Sequence, residues 1–304
     1  MQGNNLKKGV IFTISVFILA AVLLDLSSYL AEHNARHDSY FLPPSDGEVL
    51  NSRLYELSRN TQRALGAQTS IERTSTQAIF IYNDSFPFPP NSGGDADLGA
   101  YHTFYTQVWP AQNNLSCSLD VSTPNSTGVL YLTNSGMEYR HVNSDSNSDY
   151  AQFTLPSGYE FSNINFSVYC IEPQDVSQVG YSDWSGPGTN TANISFKDNA
   201  GHSRFLSTNY DPSIDQSSSV VYQDSEANTI QTISFYLLSA SKTLKISSEV
   251  NPAYLSKEDA NCLWNLTIWL DYSSSEEIYY YSPISAQLSY ANASYSGFIP
   301  IARK

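Results

Sequence analysis

The sequence predicts a mainly β protein. An N-terminal transmembrane α-helix and a short amphipathic helix precede an antiparallel β-sandwich head. Three observations predict this. Residues Gly9 to Leu24 carry no charge. From residue 74 onward, short runs rich in β-branched and aromatic residues recur, divided by Ser, Asn, Gly, Pro and Asp. Several of these runs alternate apolar and polar residues with period two, as half-buried antiparallel strands do.

The apolar element comes first. Lys7 and Lys8 precede the run GVIFTISVFILAAVLL, and Asp25 ends it. Sixteen helical residues reach about 24 Å, short of a hydrocarbon layer of roughly 30 Å. Continuing through Leu26–Ala31 gives about 34 Å and sets Asp25 and Tyr29 near the outer interface, where both groups are tolerated. The two lysines hold the N-terminus in the cytoplasm and send the remainder outside. A cleaved secretory signal would need a small-x-small site, and no clean one follows. An uncleaved single-pass anchor and a processed leader both fit.

Leu6-Lys7-Lys8-Gly9 followed by Val10-Ile11-Phe12-Thr13-Ile14 resembles the basic leader, glycine and apolar helix of type IV pilin-like proteins, the archaeal versions more than the bacterial. The resemblance spans about the first 35 residues. It implies cleavage between Gly9 and Val10 and a helix that packs in an extracellular filament with identical subunits or related pilin-like proteins. Ile14 stands at the fifth mature position, where the bacterial pattern has Glu.

The organisation that follows is a leader over 1–9, a membrane or filament helix over 10–42, a helical stalk over 43–73 and an external head over 74–304. Pro43-Pro44 stops the first helix. Ser45-Asp46-Gly47-Glu48 has the spacing of a capping box. Leu50, Leu54, Leu57 and Leu65 then recur at near-helical spacing, and Gly66 is a suitable stop, so an amphipathic helix is expected over about 46–65. Arg53, Arg59 and Arg63 fall on or near its polar side.

In the head, strands are expected at 77–82, 128–133, 150–155, 163–171, 229–238, 243–247, 263–272 and 277–281. No 12-residue helical stripe is expected after residue 66. A division into two sub-domains would fall near 180–191, which is rich in Ser, Gly and Pro. The formal net charge is −14, and 22 of the 29 acidic residues follow residue 73. That balance excludes a general nucleic-acid partner, because phosphate contact needs a basic face.

Cys117, Cys170 and Cys262 are the only cysteines. Outside the cell one pair would oxidise and leave one over, and the sequence does not choose the pair. With no CxxC and no Cys/His cluster, no metal site and no cofactor is expected. His33 and His37 lie four apart, but Glu32 precedes His33 where a zinc peptidase needs Glu after it. Seven Asn-x-Ser/Thr sites, at Asn83, Asn114, Asn125, Asn165, Asn193, Asn265 and Asn292, all follow the apolar segment and are candidate glycosylation sites. Asn165 and Asn265 fall within expected strands, where a glycan fits only on a solvent face.

Asp145, Asn147 and Asp149 have the alternating oxygen spacing that opens a calcium loop, although Tyr150 and Pro156 replace the Gly and Glu that an EF-hand needs. Asp95 and Asp97 form a similar pair. Trp184, in Tyr181-Ser182-Asp183-Trp184-Ser185-Gly186, is the tryptophan least like a core residue and is expected as an exposed contact. No nucleophile elbow, P-loop or dinucleotide fingerprint is present. The expectation is therefore a non-enzymatic cell-surface glycoprotein with a structural or adhesive role. The alternatives are a membrane-tethered carbohydrate- or peptide-binding module that engages surface glycans and, after it, an extracellular hydrolase.

Overall fold

A computed structural model describes residues 45–86, 95–144, 148–184, 187–254, 262–271 and 277–301. The leader with Gly9 and Val10, the apolar helix over 10–42, and Asp145 and Asn147 lie outside the described residues. Among those described, no helix is long and apolar enough to cross a membrane.

Helix α1 (Asp46–Ala64) starts as its sequence requires. Ser45 N–H donates to Glu48 Oε2 (2.8 Å) and Glu48 N–H donates to Ser45 Oγ (3.3 Å). Two backbone donors that the helix leaves free are thereby satisfied. Internal contacts divide the chain between Val49 and Leu50. Both sheets belong to the second unit, and no further division occurs near 180–191.

Within that unit, Leu50, Leu57 and Thr61 of α1 are buried. They face a second helical stretch formed by α2 (Asp95–Thr103), a π-helical segment (Phe104–Val108) and α3 (Trp109–Asn113). This stretch corrects the expectation that no helical stripe follows residue 66. Leu98, Tyr101, Tyr105 and Trp109 form the stripe and all are buried. Their spacing of three, four and four is helical, but Tyr and Trp favour strands and Pro110 reads as a breaker. Pro110 in fact sits in the first turn of α3, where its missing N–H costs nothing. Thr61 bonds Tyr101 through their hydroxyls, Asn60 Nδ2 donates to the Tyr105 hydroxyl (2.6 Å), and Trp109 Nε1 donates to Glu56 Oε1 (3.2 Å).

The remainder is a β-sandwich, and strands make up 55% of the described residues. The six-stranded sheet runs β1 (Gln68–Arg73), β2 (Gln77–Phe86), β14 (Cys262–Asp271), β7 (Phe161–Cys170), β9 (Asn190–Asp198), β10 (Ser203–Tyr210). The other sheet has ten strands, in the order β16 (Ala293–Ile301), β15 (Tyr280–Tyr290), β4 (Val129–Thr133), β5 (Glu138–Ser144), β6 (Ser148–Thr154), β13 (Thr243–Val250), β12 (Thr229–Leu238), β11 (Gln216–Gln223), β8 (Gln178–Ser182), with β3 (Ser116–Asp120) on β15. Pairings are antiparallel except β7 with β9, which are parallel because β8 (Gln178–Ser182) leaves for the opposite sheet between them.

Aromatic rings join the sheets. Tyr82 stacks on Tyr139 (4.7 Å between centroids), and Phe166 stacks on Phe235 (5.0 Å). Such rings bury large apolar areas and fill the space between facing sheets. Trp184 belongs to this layer, which corrects its expected exposure: it is 2% exposed, stacked on Phe235 and edge-on to Tyr210. The physical cause is a tight return of its loop. Gly188 has φ +147°, and a Cβ there would lie 1.9 Å from the Tyr210 carbonyl oxygen. At Gly188 the backbone is thus held against the Tyr210 carbonyl.

Candidate functional site

The outer face of the six-stranded sheet collects the polar residues that the sequence singled out. In β2, β14, β7 and β9 alternate residues enter the core, so residues of the other parity face outward. Asn83, Asn165, Asn193 and Asn265 all have the outward parity, as do Ser85, Ser167, Ser195 and Thr267 two residues on. Register then aligns them across the strands. Asn83 is opposite Asn265, Asn265 is opposite Ser167, and Ser167 is opposite Ser195. One step along, Thr267, Asn165 and Asn193 are neighbours in turn.

Two amide pairs tie this face together. Asn265 Nδ2 donates to Asn83 Oδ1 (2.5 Å), and Asn193 Nδ2 donates to Asn165 Oδ1 (2.8 Å). Asn83 and Asn165 are exposed, and Asn193 and Asn265 are half-exposed. The remaining candidates, Asn114, Asn125 and Asn292, are exposed outside the strands, Asn114 closing α3 in the left-handed conformation with φ 52°. None of the seven asparagines is buried.

A groove of about 560 Å³ crosses this face. Gln68, Asn83, Asn265, Ser167, Tyr169 and Lys197 line it together with Leu263. Tyr169 is 47% and Leu263 66% exposed, so the floor offers an aromatic and an aliphatic surface among amides and hydroxyls. An adjoining hollow is lined by Arg59, Arg63 and Asn83. Lys197 is the only cation among the groove residues and Asp84 the only acid, and the Asp84 carboxylate is turned to the interior. On a chain of net charge −14 the groove and the hollow beside it gather Lys197, Arg59 and Arg63, with no outward-facing acid among their lining residues.

Directly beneath the groove lies an ionic bridge between the sheets. His141 Nδ1 is 2.8 Å from Asp84 Oδ2, and Nε2 is 3.6 Å from Asp149 Oδ1. The Tyr139 hydroxyl donates to Asp84 Oδ2 (2.5 Å), and Ser85 N–H donates to Oδ1 (2.8 Å). Burial pushes the His141 pKa down, but the Asp84 and Asp149 carboxylates outweigh it and raise the pKa to about 9. The ring is therefore a buried cation at neutral pH, held between two carboxylates. Asp149, expected as one oxygen of a calcium loop, is 6% exposed and drawn to His141. Asp95 opens α2.

Cys170 and Cys262 form a disulfide across directly opposed residues of β7 and β14. Cys117 is the cysteine left over. It is half-buried, and burial raises its thiol pKa to about 11, so it is protonated and unreactive at neutral pH.

Sequence reasoning missed the Asp84–His141–Asp149 bridge and the grouping of four glycosylation candidates on one face. The second was within reach, since strand parity follows from alternation. The first was not, because the bridge joins residues 57 apart on opposite sheets. Comparisons with protein-family models, with curated proteins and with solved structures find no match for this chain.

Proposed function

We propose that this chain is an exported surface glycoprotein with a structural or adhesive role. Its apolar N-terminal segment anchors it in the cell membrane or joins it to identical or related pilin-like subunits in a filament. One observation carries the reading: all four strand-borne glycosylation candidates lie on the outer face of a single sheet, and the other three lie on exposed segments. Acceptors on an exported protein must be at its surface. The Cys170–Cys262 disulfide supports the same compartment, since disulfides persist in oxidising surroundings. N-terminal sequencing of the natural protein tests the reading. A start at Val10 indicates pilin-like processing, and a start at Met1 indicates a simple anchor. A start beyond Ala31 refutes both.

The groove supports a second reading, a membrane-tethered module that binds carbohydrate or peptide. Tyr169 would stack on a sugar or side chain, while Lys197 and the Asn83–Asn265 amides would supply hydrogen bonds. The two readings compete for the same space, because a glycan on Asn83 or Asn265 would fill the groove. Glycan-array binding that is lost in Tyr169→Ala and Lys197→Ala favours the module. Occupied glycans at Asn83 and Asn265 exclude it.

A further inference from the structure

At the end of the six-stranded sheet nearest Cys170, three side chains of two ligand types converge. The turn between β9 and β10 closes with Asp198 N–H donating to the His202 carbonyl (3.1 Å). Asp198 Oδ1 accepts the N–H groups of Ala200 (3.1 Å) and His202 (2.8 Å), and Gly201 supplies the φ of +98° that the turn needs. These bonds fix the Asp198 carboxylate and hold Oδ2 2.9 Å from His202 Nδ1. The parallel register sets Cys170 beside Asp198, so the chain leaving β7 passes the same turn. Asn199 there receives the Glu172 N–H (2.8 Å) and donates its own to the Cys170 carbonyl (3.2 Å). One carboxylate oxygen each of Glu172 and Asp198 and one ring nitrogen of His202 lie within 4.8 Å of one another.

A second, independent observation points to a ligand. Tyr222, on β11 of the opposite sheet, is fully buried, and its hydroxyl has no hydrogen-bond partner among the described residues. Its ring meets Phe196, two residues before Asp198, edge-on at 6.1 Å. Burial raises its pKa, and the charges of Asp198 and then Glu172 raise it further, so the hydroxyl lies in the field of this cluster. An orphaned buried hydroxyl needs a reason. Glu172 brings a second carboxylate oxygen within 4.8 Å of the first. Two carboxylates thus repel each other beside a single imidazole.

We infer that Glu172, Asp198 and His202 form a binding site for a divalent transition-metal ion of the zinc type. The donor set selects the class. An imidazole nitrogen among only two carboxylates is a poor cage for calcium or magnesium, and no thiolate is present to select copper(I). Tetrahedral ligands about 2.0–2.2 Å from zinc lie about 3.3–3.6 Å apart, so donors within 4.8 Å of one another need to close by at most about 1.5 Å. The His202 side chain is 42% exposed and can make that adjustment. Asp198 Oδ2 and His202 Nδ1 already lie 2.9 Å apart, close to the spacing of neighbouring ligands on one ion, and Tyr222 is a positioning residue whose unpartnered hydroxyl would take up a coordinating carboxylate when the ion binds. The site lies outside the groove and does not depend on the function proposed above.

Calorimetric titration of the full chain, purified in detergent and stripped of metal, with zinc chloride tests the inference. Wild type is expected to take up one zinc at this site. Glu172→Gln and His202→Gln should each weaken it at least about tenfold, and Tyr222→Phe by up to about tenfold. Calcium chloride should not compete. The metal-free variants should keep the wild-type circular dichroism, since Glu172 and His202 are not core residues. Absence of zinc uptake overturns the site. So does stoichiometric uptake unchanged in both Glu172→Gln and His202→Gln, which would place the ion elsewhere, as on His33 and His37.

Discussion

The two faces of the six-stranded sheet are built from the same strands and share one register, yet they obey different rules. The inner face of β7 presents Ile164, Phe166, Val168 and Cys170, all buried. The outer face of the same strand presents Asn165, Ser167 and Tyr169 to solvent. A shift of one residue along the strand therefore exchanges a core contact for a surface one. Stability resides in one parity, and the proposed modification and recognition in the other.

Substitutions sharpen that contrast. The largest effect belongs to the ionic bridge. His141→Gln leaves Asp84 and Asp149 buried without their cation and should cost about 3–5 kcal/mol in chemical denaturation. Phe166→Ala opens a hole against Phe235 and should cost a similar amount, about 3–5 kcal/mol. Removing the disulfide by Cys170→Ala with Cys262→Ala should cost about 2–4 kcal/mol, since it closes a span of 92 residues. On the outer face, Asn165→Gln and Asn83→Gln should stay within about 0.5 kcal/mol while removing any glycan mass.

The bridge also sets a pH dependence. The folded pKa of His141, about 9, lies above the unfolded value of about 6.5. Its contribution is then complete below about pH 6.5 and is lost as pH rises through 9. Thermal melts between pH 6 and 9.5 should show the wild type losing stability across that window. His141→Gln should lack this component. A flat wild-type profile would mean that the ring is neutral in the folded state.

Much of the fold was legible from local pattern. The capping box at Ser45 and Glu48 set the start of α1. Alternation placed β2, β4, β6, β7, β12, β13 and β14 near their observed positions, β4 being Val129–Thr133, β12 Thr229–Leu238 and β13 Thr243–Val250. Failures came where tertiary contacts decide. The stripe Leu98, Tyr101, Tyr105 and Trp109 has strand-forming side chains on a helix, because that face packs on Thr61 and Asn60. Trp184 sits in a polar segment, and only the tight return at Gly188 brings it inside. The choice of Cys262 for Cys170 depends on β14 lying between β2 and β7, a long-range pairing with no local signature. The cluster at Glu172, Asp198 and His202 needs the parallel β7–β9 register, although the Asp198–His202 spacing across one turn was visible.

A peptide map of the protein recovered from its own cells, read by mass spectrometry, bears most directly on the central claim. The account predicts glycan mass on asparagines of the outer face, Asn83, Asn165, Asn193 or Asn265, on a chain that still carries its apolar segment. Bare asparagines at all seven positions, on a chain recovered from the soluble cytosolic fraction, would contradict it.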